Sequence, residues 1–121
     1  MSDRVTHHRW DEVEHEQLSP LIGRRLITGD QLMIAHVYLA KGAIVPKHDH
    51  HNEQLTYILE GKLRFTVAGE TIDVAAGEVL TIPPHVPHMA EALVDTLDVD
   101  VFHPPRQDWL DGTDAYLRPP A

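Results

Sequence analysis

The sequence predicts an all-β fold, either a sandwich or a barrel. Short apolar runs recur at close spacing from residue 21 onward, and glycine, proline or aspartate separates them. This rhythm is typical of all-β domains, and almost none of the chain has the periodicity of an amphipathic helix. A chain of 121 residues is long enough for one hydrophobic core and too short for two comfortable domains. We therefore expect a single domain.

The predicted elements follow one another in a simple order. Residues 1–20 are polar and are predicted to form an N-terminal arm that carries a short strand or turn. The barrel is expected over residues 21–110, and residues 111–121 form a C-terminal tail. Within the barrel we predict strands at 21–27, 31–40, 54–59, 62–67, 71–74, 79–82 and 97–102.

Glycine marks the predicted turns between these strands. Gly29, Gly61, Gly69 and Gly77 each lie between two apolar runs, where a residue that tolerates positive φ suits a tight turn. After the last strand the chain turns at a pair of prolines. We expect Asp108 to cap a short helical turn there.

Composition limits the classes of function. The net charge of −9 and the scattered lysine and arginine residues argue against binding to nucleic acid. No run is long and apolar enough to cross a membrane, so we expect a soluble, cytoplasmic protein without a membrane partner. The chain has no cysteine, so nitrogen and oxygen donors must hold any metal ion.

A cluster of candidate metal ligands is the most informative feature of the sequence. His48, His50 and Gln54 lie within seven residues of one another, and His88 follows in a proline-rich segment. In an extended strand, side chains two or four positions apart point the same way. Imidazole and amide oxygen together suit divalent transition metals, so we predict a metal centre formed by these four residues.

The spacing of these residues resembles the two sequence motifs of the cupin family. Gly42, His48, His50, Gln54 and Gly61 match the first motif, with glutamine where that family usually has glutamate. The second motif matches at Gly77, Pro83 and His88, although His85 and Ala92 stand where glycine and asparagine are usual. The resemblance implies a double-stranded β-helix, the cupin jelly-roll barrel, with a metal ion inside one end.

Glutamine in place of glutamate changes the expected chemistry of the ion. Four neutral ligands leave the full charge of a divalent cation in the pocket, whereas a carboxylate would cancel about half of it. Such a centre favours Lewis-acid polarisation of a substrate oxygen. We expect Mn, Ni, Fe or Zn as the cofactor, without a choice among them.

The other histidines have simpler explanations. His36 and His103 are interpreted as ordinary strand residues. His51 and Glu53 should point away from the ligands, toward solvent or the outer side of the site. His85 either borders the pocket or occupies a turn, and His7 and His8 are too few to indicate a binding tract.

The predicted strand 97–102 carries the candidate catalytic residue. Asp98, Asp100 and Phe102 share one face of this strand, and three apolar residues share the other. If the acidic face points into the barrel, Asp100 becomes a general acid or base beside the metal. The alternative is that the apolar face points inward and leaves both aspartates in solvent.

Arg106 follows the same strand after a rigid turn. A guanidinium suits bidentate capture of a carboxylate, so Arg106 is a candidate for holding an anionic substrate. A surface ion pair with Asp108 or Asp111 is the competing explanation. Phe102 and Tyr57 are predicted to shape the substrate pocket.

This C-terminal pattern also resembles the small cupins of pectin and alginate breakdown, which linearise 4,5-unsaturated uronates. In them three histidines and one glutamine hold the metal, and an aspartate and an arginine at the positions of Asp100 and Arg106 are thought to serve the reaction. The resemblance implies an isomerase or lyase of carbohydrate metabolism that acts by proton transfer on a small sugar acid. The alternatives are an Fe(II)-dependent dioxygenase and a non-catalytic binding protein. We also expect a homodimer, because unpaired edge strands need covering.

Overall fold

The computed structural model describes residues 4–119, and within them ten strands form two antiparallel sheets. Parts of the predicted arm and tail, residues 1–3 and 120–121, lie outside the described residues. The strands are β1 (Glu16–Gln17), β2 (Ile22–Thr28), β3 (Met33–Leu39), β4 (Ile44–His48), β5 (Glu53–Glu60), β6 (Lys62–Val67), β7 (Glu70–Ala75), β8 (Val79–Ile82), β9 (His88–Ala92) and β10 (Thr96–His103). A short helix, α1 (Gln107–Asp111), follows β10, and 3₁₀ turns lie at Trp10–Glu12 and Ala115–Leu117.

The two sheets face each other and enclose the core. One sheet has the strand order β1-β2-β3-β10-β5-β8, and the other has the order β4-β9-β6-β7. On strands such as β6 and β3 alternating side chains point inward, as Leu63 and Phe65 do on β6 and Met33 does on β3. The predicted all-β fold is confirmed, and each of the seven predicted strands overlaps an observed one. Strands β1, β4 and β9 have no counterpart among the runs predicted in the barrel.

Glycine conformation explains three of the four predicted turns. Gly61, Gly69 and Gly77 have φ of 92°, 79° and 86°, values that side chains disfavour. A Cβ at Gly61 would also collide with the backbone carbonyl of Asp95. Gly29 does not have a positive φ, so that turn does not require glycine.

The prediction that Asp108 caps a helix is wrong. Helix α1 begins after Arg106, which occupies the N-cap position without a capping side-chain hydrogen bond. The Asp108 carboxylate accepts hydrogen bonds from Arg106 instead, at 3.0 and 2.8 Å. The charged guanidinium is the stronger donor, and it takes the oxygen atoms that a cap would use.

The segments before and after the barrel pack against it. The Trp10 ring stacks on His36 with ring centroids 3.8 Å apart. At the other end Leu117 is buried in the core cluster. Within residues 4–119 no helix is long and apolar enough to span a membrane.

Candidate metal centre and active site

Strands β4, β5 and β9 bring the predicted metal ligands to one end of the barrel. His48 ends β4 and lies directly opposite His88, the first residue of β9. His50 lies in the loop between β4 and β5, and Gln54 is the second residue of β5. The backbone N–H of His85 donates to the carbonyl oxygen of His50 at 2.7 Å, which fixes the loop.

The three imidazoles are close enough to share one ion. One nitrogen of each of His48, His50 and His88 lies within 4.8 Å of the others. Their ring centroids are separated by 4.3 Å for His48 and His88, 5.1 Å for His50 and His88, and 5.5 Å for His48 and His50. The Oε1 atom of Gln54 lies 3.1 Å from Nε2 of His50. The structure therefore brings all four predicted ligands together.

Backbone carbonyls set the tautomer of each histidine. Nδ1 of His48 lies 2.8 Å from the oxygen of Pro46, and Nδ1 of His88 lies 2.9 Å from that of Val86. Nδ1 of His50 makes the same contact to Asn52, at 3.0 Å. Because a carbonyl only accepts, each Nδ1 must carry the hydrogen, and each neutral ring presents the lone pair of Nε2. Metal-binding histidines are commonly oriented in this way.

Gln54 presents its oxygen to the same point. Its amide nitrogen donates to Oγ1 of Thr56 at 2.8 Å and lies 3.5 Å from Oδ1 of Asp100. The amide oxygen is thereby turned toward Nε2 of His50, and both of these atoms are acceptors. Two acceptors 3.1 Å apart repel each other unless a cation or a proton lies between them.

Burial keeps the imidazoles neutral. It lowers the pKa of His48 to about 4 and that of His50 to about 4, and it lowers the pKa of His88. Desolvation is the largest cause in each case, and the positive charge of Arg106 adds to it. Nε2 of His88 is buried without a hydrogen-bond partner in the described part of the chain. Neutral, desolvated nitrogen donors of this kind fit a divalent transition metal.

Two carboxyl groups lie below the histidines on β10. Asp98 and Asp100 are both buried and line the same cavity as Gln54 and His88. The acidic face of the strand therefore points inward, and the alternative with both aspartates in solvent is wrong. Thr56 donates its hydroxyl to Oδ1 of Asp100 at 2.8 Å.

The two carboxyl groups share a proton unequally. Burial and the neighbouring charge of Asp100 raise the pKa of Asp98 well above its usual range. Burial also raises the pKa of Asp100, but hydrogen bonds from Asp98 and Thr56 and the charge of Arg106 oppose that effect. Of the two groups, Asp98 therefore holds a proton more strongly than Asp100.

Arg106 both lines the cavity and pairs with Asp108. Its side chain is only 3% exposed, and its Nε and Nη2 atoms donate to the two oxygens of Asp108. The guanidinium carbon lies 5.1 Å from the ring centroid of Phe102 and 4.9 Å from that of Trp109. The ion pair with Asp108 that was the competing explanation is therefore formed, but the guanidinium is buried and does not lie on the surface.

Tyr57 is the one predicted pocket residue that lies elsewhere. It is 42% exposed on the outer face of β5, whereas Gln54 and Thr56 point inward. Strand alternation places odd-numbered residues of β5 outside, so the prediction that Tyr57 shapes the pocket is wrong. The histidines that were not expected to bind metal, and Glu53, are absent from the cluster.

Tyr116 is a residue of the site that was not predicted from the sequence. Its ring stacks on His48 with centroids 4.5 Å apart, and it lines the cavity. No motif or strand pattern marks this residue, because it lies in the short irregular segment after α1. Asp98 had a signal, since strand alternation put it on the same face as Asp100.

Comparison with known proteins agrees with this geometry. The sequence profile described as Cupin domain matches residues 35–103. The chain is 32% identical over 103 residues to the pectin degradation protein KdgF of Dickeya dadantii, which covers 83% of this chain and 94% of that protein.

Solved structures agree as well. The structure of KdgF from Halomonas sp. has a TM-score of 0.82 at 28% identity and covers 88% of this chain and 99% of its own. An RmlC-like cupin from Shewanella frigidimarina gives a TM-score of 0.82 at 27% identity, covering 90% of this chain and 99% of its own.

Proposed function

Since this chain belongs to the cupin family, we propose that it is a metal-dependent enzyme that rearranges an unsaturated uronate by proton transfer. The main support for this proposal is the set of side chains that line one cavity. Three neutral imidazoles and an amide oxygen converge there beside a buried carboxylate and a buried guanidinium. Similarity to a protein of pectin degradation supports a sugar acid as the substrate, because pectin is a polymer of uronates.

The four predicted ligands are His48, His50, Gln54 and His88. A divalent Mn, Ni, Fe or Zn ion bound by them would polarise a substrate oxygen with its full charge, because no ligand is anionic. The protein contributes neutral Nε2 lone pairs, each held in orientation by a backbone carbonyl. It also shields the site from bulk solvent, since Gln54 and His88 are buried.

Asp100 is the proposed acid-base residue. Its ionised carboxylate accepts the hydrogen of the ring hydroxyl at the anomeric carbon, the bond from that carbon to the ring oxygen breaks, and an aldehyde forms. The ring oxygen departs as an enolate, which takes up a proton at carbon 4 to give a ketone. A single group that serves as base and then as acid accounts for both proton transfers, and the product is an isomer of the substrate.

Arg106 and Phe102 orient the substrate in this proposal. The guanidinium supplies positive charge in a protein whose net charge is −9, and it lies in the cavity wall next to Phe102. A local charge decides binding at this range because salt screens distant charges beyond about 8 to 10 Å. The substrate carboxylate is expected to lie on this side of the cavity.

The test is NMR of a 4,5-unsaturated uronate with metal-loaded protein in deuterated water. The proposal predicts loss of the ring signals and deuterium at carbon 4 of an open-chain product. Absence of accelerated conversion would contradict it. Oxygen consumption without incorporation of deuterium would instead support the dioxygenase alternative.

We also propose that the chain forms a homodimer. The outer face of the larger sheet exposes Leu55, Tyr57 and Val79, which are 41%, 42% and 56% exposed. Apolar side chains grouped on one face suit a self-complementary contact with a second copy. Analytical ultracentrifugation of the purified protein measures its oligomeric state. A monomer at micromolar concentration would contradict the proposed homodimer.

A further inference from the structure

The segment after α1 is anchored to the barrel at two points. Asp114 is buried and accepts hydrogen bonds from Nη1 of Arg24 and from Nε of Arg118. Leu117 is buried in the core. Tyr116 lies between these anchors, so its position above the histidines is fixed by the fold.

The hydroxyl of Tyr116 has an unusual set of partners. It accepts a hydrogen bond from Nη2 of Arg106 at 2.7 Å and another from Nε1 of Trp109 at 3.0 Å. A phenol has two lone pairs and one hydrogen. Both partners are donors, so the hydrogen of Tyr116 is left to donate, and no side chain or carbonyl within residues 4–119 accepts it.

The charge of Arg106 strengthens this donor. A hydroxyl that accepts from a guanidinium is polarised, and hydrogen-bond chains reinforce one another in a dry environment. The ring of Tyr116 stacks on His48 with an interplanar angle of 26°. The hydroxyl group is thereby held at the border between the metal centre and Arg106.

Arg106 alone is poorly placed to bind a carboxylate through two parallel N–H groups. Its Nε and Nη2 atoms already donate to the two oxygens of Asp108, at 3.0 and 2.8 Å. Nη2 belongs to both edges of the guanidinium that can form a bidentate pair, and its second hydrogen is donated to Tyr116 at 2.7 Å, which leaves Nη1 for an anion. An anion bound beside Arg106 therefore needs a further donor close by.

We infer that Tyr116 is a substrate-binding residue whose hydroxyl donates a hydrogen bond to an oxygen of the bound sugar acid. This inference rests on the proposed function for the identity of the substrate. Tyr116 lies outside the part of the chain that matches the family profile, residues 35–103. The segment after the barrel would thus help to determine which anion the site accepts.

The cavity is too small to hold the proposed substrate without a movement of its wall. The cavity measures about 40 Å³, which suffices for a few water-sized occupants and not for a sugar acid. A sugar acid can therefore enter only if side chains of the cavity wall move.

The experiment compares Tyr116→Phe with Tyr38→Phe. Tyr38 is a matched control because its hydroxyl also accepts from an arginine, Arg25, at a place outside the site. In metal-loaded protein, Tyr116→Phe should raise the KM for the unsaturated uronate about tenfold or more, the usual effect of losing a hydrogen bond to a charged group. Tyr38→Phe should leave KM unchanged.

A second readout separates this inference from the proposed function. Acetate is titrated into Co²⁺-loaded protein, and its Kd is read from the visible spectrum of the ion. Tyr116→Phe should weaken acetate about tenfold even if wild type converts no uronate, a result that would overturn the proposed substrate alone. Equal acetate Kd values for Tyr116→Phe and wild type would overturn the role of Tyr116.

A measurement on wild-type protein covers the case in which Tyr116→Phe does not fold. In Zn²⁺-loaded protein labelled with ¹³C at Cζ of tyrosine, acetate should shift the resonance of Tyr116 and leave that of Tyr38 in place. An unmoved Tyr116 resonance at saturating acetate would overturn the inference.

Discussion

Asp100 is the residue whose chemistry the proposed reaction depends on most. Thr56 and Gln54 donate toward its carboxylate, and the pKa of neighbouring Asp98 is raised more strongly than that of Asp100. Asp100→Asn has nearly the same shape and removes the base. Turnover of the uronate should fall by about 10² to 10⁴, the range of general acid-base catalysis, while metal content measured by elemental analysis stays unchanged.

Asp73→Asn is the control for this substitution. Asp73 forms an ion pair with Arg64 away from the cavity, so its loss should leave kcat and KM as they are. Full activity in Asp100→Asn would contradict the role of Asp100 as acid-base residue. It would not contradict the proposed metal centre.

His85 has a backbone conformation that usually belongs to glycine. Its φ is 66°, and glycine is the usual residue at this position of the second cupin motif. A left-handed conformation costs a residue with a side chain roughly 1 to 2 kcal/mol, and His85 is exposed. We predict that His85→Gly is more stable than His85→Ala by about 1 kcal/mol in urea unfolding. Equal stability of the two variants would contradict this account of the turn.

At the scale of elements, the segment after α1 is held by a buried ion pair. Arg24 and Asp114 have side chains that are 0% exposed, and Arg24 also lies over the ring of Trp109 at 4.5 Å. Removing Asp114 leaves the buried charge of Arg24 with the partly exposed Glu16, at 3.2 Å, as its remaining ion-pair partner. Asp114→Asn should therefore lower the free energy of unfolding by about 3 kcal/mol, measured by urea titration.

The exposed pair of Arg64 and Asp73 again provides the comparison. Asp73→Asn should change stability little, because solvent screens this ion pair. A stability of Asp114→Asn equal to wild type would show that the ion pair with Arg24 does not hold the segment.

Strand patterns in the sequence predicted the elements unevenly, for physical reasons. Alternation identified β6 because one face of the strand is buried and the other is exposed. In β10 the two faces differ in polarity, although residues 96–102 are all buried or half-buried. Strand β4 was not predicted, because its residues are mostly exposed or half-buried and show no alternating pattern. The candidate ligands were predictable because they lie in two short motifs. Tyr116 was not predictable, because long-range packing through Arg24 and Asp114 brings it to the site.

At the scale of the whole molecule, the buried histidines make stability depend on pH. His48 and His50 have a pKa of about 4 in the folded protein, against about 6.5 when unfolded. Between these values the unfolded chain binds more protons, so stability falls as the pH drops from 6.5 toward 4. The raised pKa values of Asp98 and Asp100 act in the opposite direction and offset part of the loss.

Urea unfolding of the metal-free protein at a series of pH values measures this dependence. His48→Gln should flatten the profile between pH 6.5 and 4, because one buried titrating imidazole is removed. An unchanged slope in that variant would mean that His48 titrates normally in the folded protein.

The metal centre is tested most directly by calorimetric titration of metal-free protein with Ni²⁺ at pH 7. We expect one ion per chain for wild type and for His103→Ala, which alters an exposed histidine outside the cluster. We expect a much weaker or absent binding signal for His88→Ala, since the Nε2 lone pair of His88 is buried and has no hydrogen-bond partner among residues 4–119. Binding of Ni²⁺ by His88→Ala with the stoichiometry and affinity of wild type would contradict the assignment of these residues as a metal centre.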